Sequence, residues 1–97
     1  MKYQICKSVW SKVCGLMFSK KKNLVFVFDE DRKVGLHMFF VFFPIDVLFL
    51  DQDKKIIEVK QNFKPFSFYT PKNKARYVVE ISENRKEEYG IGEKIEF

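Results

Sequence analysis

GLHMFFVFFPIDVLFLD, residues 35–51, decides the fold. Nearly every position from Leu36 to Leu50 is apolar. Such a run is a membrane helix, a pair of buried strands, or the wall of a binding site. Fifteen residues are too few for a helix that crosses a bilayer. Pro44 breaks a helix, and the Asp46 carboxylate is costly at mid-bilayer. The membrane reading is therefore rejected. Pro44 divides two expected strands, 35–42 and 45–51, and their all-round apolarity places them at the centre of a sheet covered on both faces.

Working outward, 51–54 (DQDK) supplies turn residues, so a hairpin leads into a strand at 56–61. There Ile57 and Val59 are expected on one side, Glu58 and Lys60 on the other. Upstream, 24–28 (LVFVF) is a short buried strand, followed by a polar turn at 29–31. Residues 2–7 suit a first short strand. In 8–17, Val9, Trp10, Val13, Cys14 and Met17 form a helical stripe, with Ser8 as cap and three lysines after it. Downstream, 62–74 reads as a loop. A strand at 75–81 places Tyr77, Val79 and Ile81 together. A polar helix follows at 82–89, then a turn at Gly92-Glu93 and a last strand at 94–97. The expected fold is mainly β (α+β): a single domain over 1–97 with a mostly antiparallel, barrel-like sheet and two short helices.

Composition narrows the class. Twelve Phe in 97 residues point to a ring-packed core. The amino end carries no signal-peptide pattern, and two cysteines make no secreted disulfide framework, so a soluble cytoplasmic protein is expected. Abundant Lys, Glu and Ile with few Gln fits a heat-adapted source. The net charge of +5 is unevenly spread. Residues 1–22 hold six Lys and no acid; 60–77 hold five basic residues and no acid; the remainder is predominantly acidic. Two basic blocks of this kind are either a solvated surface or a face for a polyanion.

The order of short motifs is itself informative. It runs from Gly15-Leu16-Met17-Phe18 to His37-Met38, Pro44-Ile45-Asp46-Val47 and Phe49-Leu50-Asp51. Ala75-Arg76-Tyr77-Val78-Val79-Glu80, Gly90-Ile91 and Gly92-Glu93 complete it. The series resembles domain-of-unknown-function family 192, also called uncharacterised protein family 0127, over nearly the whole chain. The resemblance implies a small, soluble, β-rich single domain. Family members usually carry Trp-Met-Lys-Asn-Thr before the Pro-Leu/Ile-Asp motif. Here His37, Met38, Phe39, Phe40 and Val41 stand there, two Phe replacing the polar Lys-Asn pair; if that pair lines a site in relatives, this chain lacks its chemistry. The departure resembles a shorter, more apolar branch of archaeal type.

Candidate chemistry centres on Asp46, a carboxylate among Val, Leu and Phe that needs a cation, donors or water. Either it contacts a ligand at a cleft, with Arg76, or it accepts backbone N–H groups and fixes the turn after Pro44. His37, the lone histidine, is a ligand contact or a packed residue. A zinc site from Cys6, Cys14, His37 and one carboxylate lacks paired cysteine spacing, and neither a metal nor a cofactor is expected. The 60–77 segment interleaves cations with rings. Single-stranded nucleic acid would use Lys64, Phe66, Phe68, Lys72, Lys74 and Arg76; alternatively the rings plug the end of the sheet while the lysines stay wet. No catalytic partner for Asp46 or His37 is visible. The reading is a binding or accessory interaction module without catalysis, monomeric or homodimeric, contacting a small ligand, a protein or single-stranded nucleic acid.

Overall fold

The computed structural model describes residues 4–6, 23–33, 36–37, 43–64 and 67–97. Seven strands run β1 (Gln4–Cys6), β2 (Leu24–Arg32), β3 (Leu36–His37), β4 (Ile45–Leu50), β5 (Ile56–Phe63), β6 (Phe68–Tyr69) and β7 (Ala75–Ile81). Five of them form one sheet in the order β1-β2-β7-β4-β5, while β3 and β6 pair separately. Among the described residues only β1 and β2 run parallel; the other pairings are antiparallel.

β4 is the strand that the opening stretch demanded. All six of its residues are buried, and it lies between β5 and β7. Its alternate side chains serve two cores. Ile45, Val47 and Phe49 pack with Leu24, Phe28, Phe63 and Val78; Leu48 and Leu50 pack with Val25, Ile56, Val79 and Ile81. A strand flanked by two apolar layers has no polar face to present, which is why its sequence does not alternate. Tyr77, Val79 and Ile81 share the second core as expected.

The segment before Pro44 behaves differently. Of 35–42 the described residues are Leu36 and His37, which leave the main sheet and pair with Phe68 and Tyr69 of β6. Leu36 and His37 thus do not pair with β4 as expected, and the rest of 35–42 lies outside the described residues. Among the described residues the sheet also does not close into a barrel. Among those same residues β1 and β5 are its two edges, and β3 and β6 pair with one another.

Other boundaries shift for local reasons. β2 continues through Asp29–Arg32 as an exposed strand end where a turn was expected. The β4–β5 hairpin forms as predicted. Asp51 Oδ1 accepts the N–H groups of Asp53 (2.8 Å) and Lys55 (3.0 Å), and Lys54 takes the left-handed conformation at φ 63°. The register slips between Phe49 and Leu50, which face Glu58 and Ile56. Ile57 is the extra residue of this bulge, so Ile56 and Val59 join one core while Ile57 packs on the other.

No helix occurs among the described residues, so the expected helix at 82–89 is absent. Its backbone groups are taken by side chains, most of them from elsewhere. Ser82 and Glu83 N–H donate to Asn23 Oδ1, Gln61 donates to the carbonyls of Lys86 and Glu87, and Lys86 N–H donates to the Tyr89 hydroxyl. Asn84 is left-handed at φ 57°. A polar eight-residue segment with one ring has no apolar face to stabilise a helix against such competition. The expected strand at 94–97 is reduced to a single bridge between Lys94 and Lys55. Gly92, at φ 90°, turns the chain there, and its N–H donates to the Ile56 carbonyl at 2.7 Å. The expected helix at 8–17 lies outside the described residues.

Candidate functional site

Asp46 sits on the second face of β4, 2% exposed. Its Oδ1 accepts the Asn62 N–H at 2.9 Å and pairs with Arg85 Nη1 at 3.3 Å; its Oδ2 accepts the Tyr89 hydroxyl at 2.8 Å. Both carboxylate oxygens are thus engaged. The positive φ of Asn62 (51°) aims its amide at Asp46. Burial, followed by the carboxylate beside it, pushes the Tyr89 phenol up to about 12. The sequence shows no polar group beside Asp46, yet the fold brings two from the 82–89 segment. Nothing in the sequence marks Arg85 for this role, because it reads there as one charge on a solvated helix.

Arg76 is not part of this cluster. Its Nε pairs with Asp31 at 3.2 Å, and both side chains remain substantially exposed. β7 sets Ile81 opposite Asp46, and Arg76 lies five residues away along that strand, about 16 Å at the usual strand rise. His37 contributes backbone pairing to Phe68; its side chain lies outside the described residues, as do those of Cys6 and Cys14. Among the described residues no three His, Cys, Asp or Glu side chains converge as metal ligands.

The connection between β5 and β7 has a clearer structure. Phe63 is buried, and Tyr69 packs on Phe49 and Phe63 with ring centroids 5.8 and 6.5 Å away. Those two rings fill the core, as the plug reading expects. Phe68 does the opposite: it is 70% exposed. Lys64, Lys72 and Lys74 are also exposed, and Lys60 Nζ lies 5.7 Å from the Tyr69 ring. Phe66 lies outside the described residues.

Glu58 holds this connection, and the sequence reading missed it. Only 8% exposed, its carboxylate accepts the Tyr69 hydroxyl, the backbone N–H groups of Lys72 (3.0 Å) and Asn73 (2.9 Å), and the Asn73 side-chain amide (3.0 Å). Burial acts to raise its pKa, but the donors outweigh it and hold the carboxyl below its ordinary range. Tyr69, desolvated and facing that charge, is pushed up to about 12. Glu58 faces inward because it stands opposite Phe49, whose face of the sheet is a second core; in the sequence that face reads as the outer one because it carries Glu58 and Lys60.

A third carboxyl, Glu80, stands between Leu24 and Val47 in the centre of the sheet. Burial pushes it up to about 7.

The arrangement can be set against known proteins. The DUF192 family model, described as "Uncharacterized ACR", matches residues 1–97. The chain belongs to the DUF192 family. A UPF0127 protein of Pyrococcus horikoshii is 35% identical over 94 residues, covering 90% of this chain and 81% of that one. A UPF0127 protein of Thermococcus kodakarensis is 34% identical over 83 residues, covering 81% of this chain and 52% of the relative. This DUF192 chain thus spans about half the length of some relatives, and both organisms are the archaea that its departures suggested.

Two crystal structures share the DUF192 fold seen here. One, from Sinorhizobium meliloti, is a chain put forward as a transcription regulator. It matches with a TM-score of 0.72 at 25% identity, over 81% of this chain and 66% of that chain. The other, a protein of unknown function from Novosphingobium aromaticivorans, matches with a TM-score of 0.72 at 17% identity, over 84% and 63%. The second likeness concerns the fold alone.

Proposed function

We propose that this DUF192 chain is a non-catalytic binding module, that its contact surface is the basic, ring-bearing 60–77 segment, and that its ligand is single-stranded nucleic acid. One observation carries the reading. Phe68 is 70% exposed within a segment that contains no acid and presents Lys64, Lys72 and Lys74 to solvent. A base stacks on the ring while ammonium groups meet the phosphates on either side, a mode that tolerates any sequence. The S. meliloti relative put forward as a transcription regulator points in the same direction.

The small-ligand reading at Asp46, Arg76 and His37 has less support. Asp46 already has its oxygens engaged, and Arg76 is paired elsewhere. An anion would have to compete for Arg85, whose side chain is 33% exposed.

The test is fluorescence anisotropy with labelled oligo(dT) and oligo(rU) across a salt series. Three lysine–phosphate contacts predict a log–log slope of about −2, at roughly −0.7 per contact for single strands. Absence of binding in low salt, or a flat slope, overturns the nucleic-acid reading. A thermal-shift screen with metabolites then takes up the small-ligand one.

A further inference from the structure

We infer that Glu58 is the positioning residue of the binding surface: its buried carboxylate clamps the 69–73 backbone so that Phe68, Lys72 and Lys74 stand out from a fixed frame. The inference rests on the nucleic-acid reading for its ligand and on geometry for everything else. β6 is only two residues long, too short to hold the connection by ladder bonds alone. The clamp grips at both ends of a short span. At one end the Tyr69 hydroxyl donates to Glu58; at the other the successive amides of Lys72 and Asn73 converge on Oε1 at 3.0 and 2.9 Å. The Asn73 side chain adds a third donor to the same oxygen. Pro71, buried between the two grips, removes one backbone donor and stiffens the span further. Lys72 and Lys74, which follow it, are by contrast exposed. A segment with this division has its backbone order set before any ligand arrives, so binding forfeits little of it.

Charge alone predicts the reverse effect, which makes the inference sharp. Glu58 is an acid beneath a cationic surface, so removing its charge should tighten a polyanion. Positioning predicts weaker binding. Glu58→Gln keeps the shape but replaces one acceptor oxygen with an NH2 group, which faces donors it cannot serve.

The experiment measures hydrogen exchange and oligo(dT) affinity on the same preparations of wild type, Glu58→Gln and Tyr69→Phe. In Glu58→Gln, exchange at the Lys72 and Asn73 amides is expected to rise about tenfold or more while the β4 and β7 amides hold, as local opening requires. Affinity is expected to fall about five- to tenfold with the salt slope unchanged, since no phosphate-contacting cation is lost. Tyr69→Phe, which removes one donor and leaves the carboxylate, gives a smaller change in the same direction and serves if Glu58→Gln does not fold. Unchanged exchange at Lys72 and Asn73 overturns the clamp. Raised exchange with equal or tighter oligo(dT) binding overturns its role in recognition. If wild type binds no oligonucleotide but exchange still rises, the clamp stands and the nucleic-acid reading falls.

Discussion

Tyr89 donates its hydroxyl to Asp46 across 2.8 Å, joining residues 43 apart in the chain. With Arg85 and the Asn62 amide, this contact fastens an irregular carboxyl-terminal segment to the most buried strand of the sheet. Removing the carboxylate leaves Arg85, Tyr89 and an amide without their acceptor. Asp46→Ala is expected to cost about 2–3 kcal/mol, because it strands the part-buried Asn62 and Tyr89 donors while the partly exposed Arg85 can turn to water. Tyr89→Phe should cost about 1 kcal/mol, because it removes a donor and leaves Asp46 two others. Denaturant unfolding measures both. Equal losses would show that Asp46 acts through Tyr89 alone.

Glu80 gives the pH dependence a direction. Its carboxyl titrates near 4.5 when exposed and about 7 in the fold. Below pH 4.5 both states carry the proton. Between there and 7 the unfolded chain releases it and the native chain keeps it, so stability falls as pH rises through that window. At roughly 1.4 kcal/mol per tenfold change in proton affinity, the full effect is on the order of 3 kcal/mol. Glu80→Gln should therefore raise the melting temperature at pH 8 and leave it nearly unchanged at pH 4. A variant equally stable with wild type at pH 8 would refute this.

Glu58 has the opposite sign. Its carboxyl is held below the ordinary range, so its contribution is present at neutral pH and lost as the solution is acidified below that range. Acid unfolding followed by circular dichroism should show Glu58→Gln losing less stability than wild type on going from pH 6 to pH 3. A loss as large as that of wild type would refute the assignment.

Asn23 is a second staple of the same carboxyl-terminal segment. Only 3% exposed, it accepts the Ser82 and Glu83 amides at 2.9 and 3.0 Å and donates to the Glu83 carbonyl at 3.3 Å. Asn23→Ala strands two donors and one acceptor, for an expected loss of about 2–3 kcal/mol. Asn23→Asp keeps the two donors served and should lose less. Chemical denaturation with both variants tests the order.

Within the proposed surface, the ring and the cations should separate cleanly. Phe68→Ala is expected to weaken oligo(dT) by about 1–3 kcal/mol without altering the salt slope, as loss of a stacking platform does. Lys72→Ala should instead reduce the slope by about 0.7. Anisotropy across salt distinguishes the two, and a Phe68→Ala variant that binds like wild type removes the ring from the interface.

What could be read from residues alone follows from where the driving force is local. Pro44 and the unbroken apolarity of 45–50 fix β4, and Asp51 with its neighbours fixes the hairpin, because turn chemistry and two-sided burial leave direct marks. The alternation in 75–81 fixes β7. Glu58 was hidden because both faces of β5 are covered, and a strand face that carries Glu58 and Lys60 reads as the solvent face. Arg85 and Tyr89 were hidden because the contacts that replace a helix at 82–89 come from Asn23, Asp46 and Gln61, far away in the chain. The pairing of Asp46 with Arg76 failed for the same reason: proximity in the fold was inferred from charge, and Arg76 found Asp31 instead.

The middle strand of the sheet, β7, follows every other strand in chain order. During synthesis β2 and β4 emerge first with nothing between them, each offering a bare apolar edge. The sheet can be completed only after residue 81 has left the ribosome, when β7 enters the gap and pairs on both sides. Nascent chains stalled before that point should cling to chaperones and precipitate when released, whereas the full chain, with Arg85 and Tyr89 seated on Asp46, should resist protease.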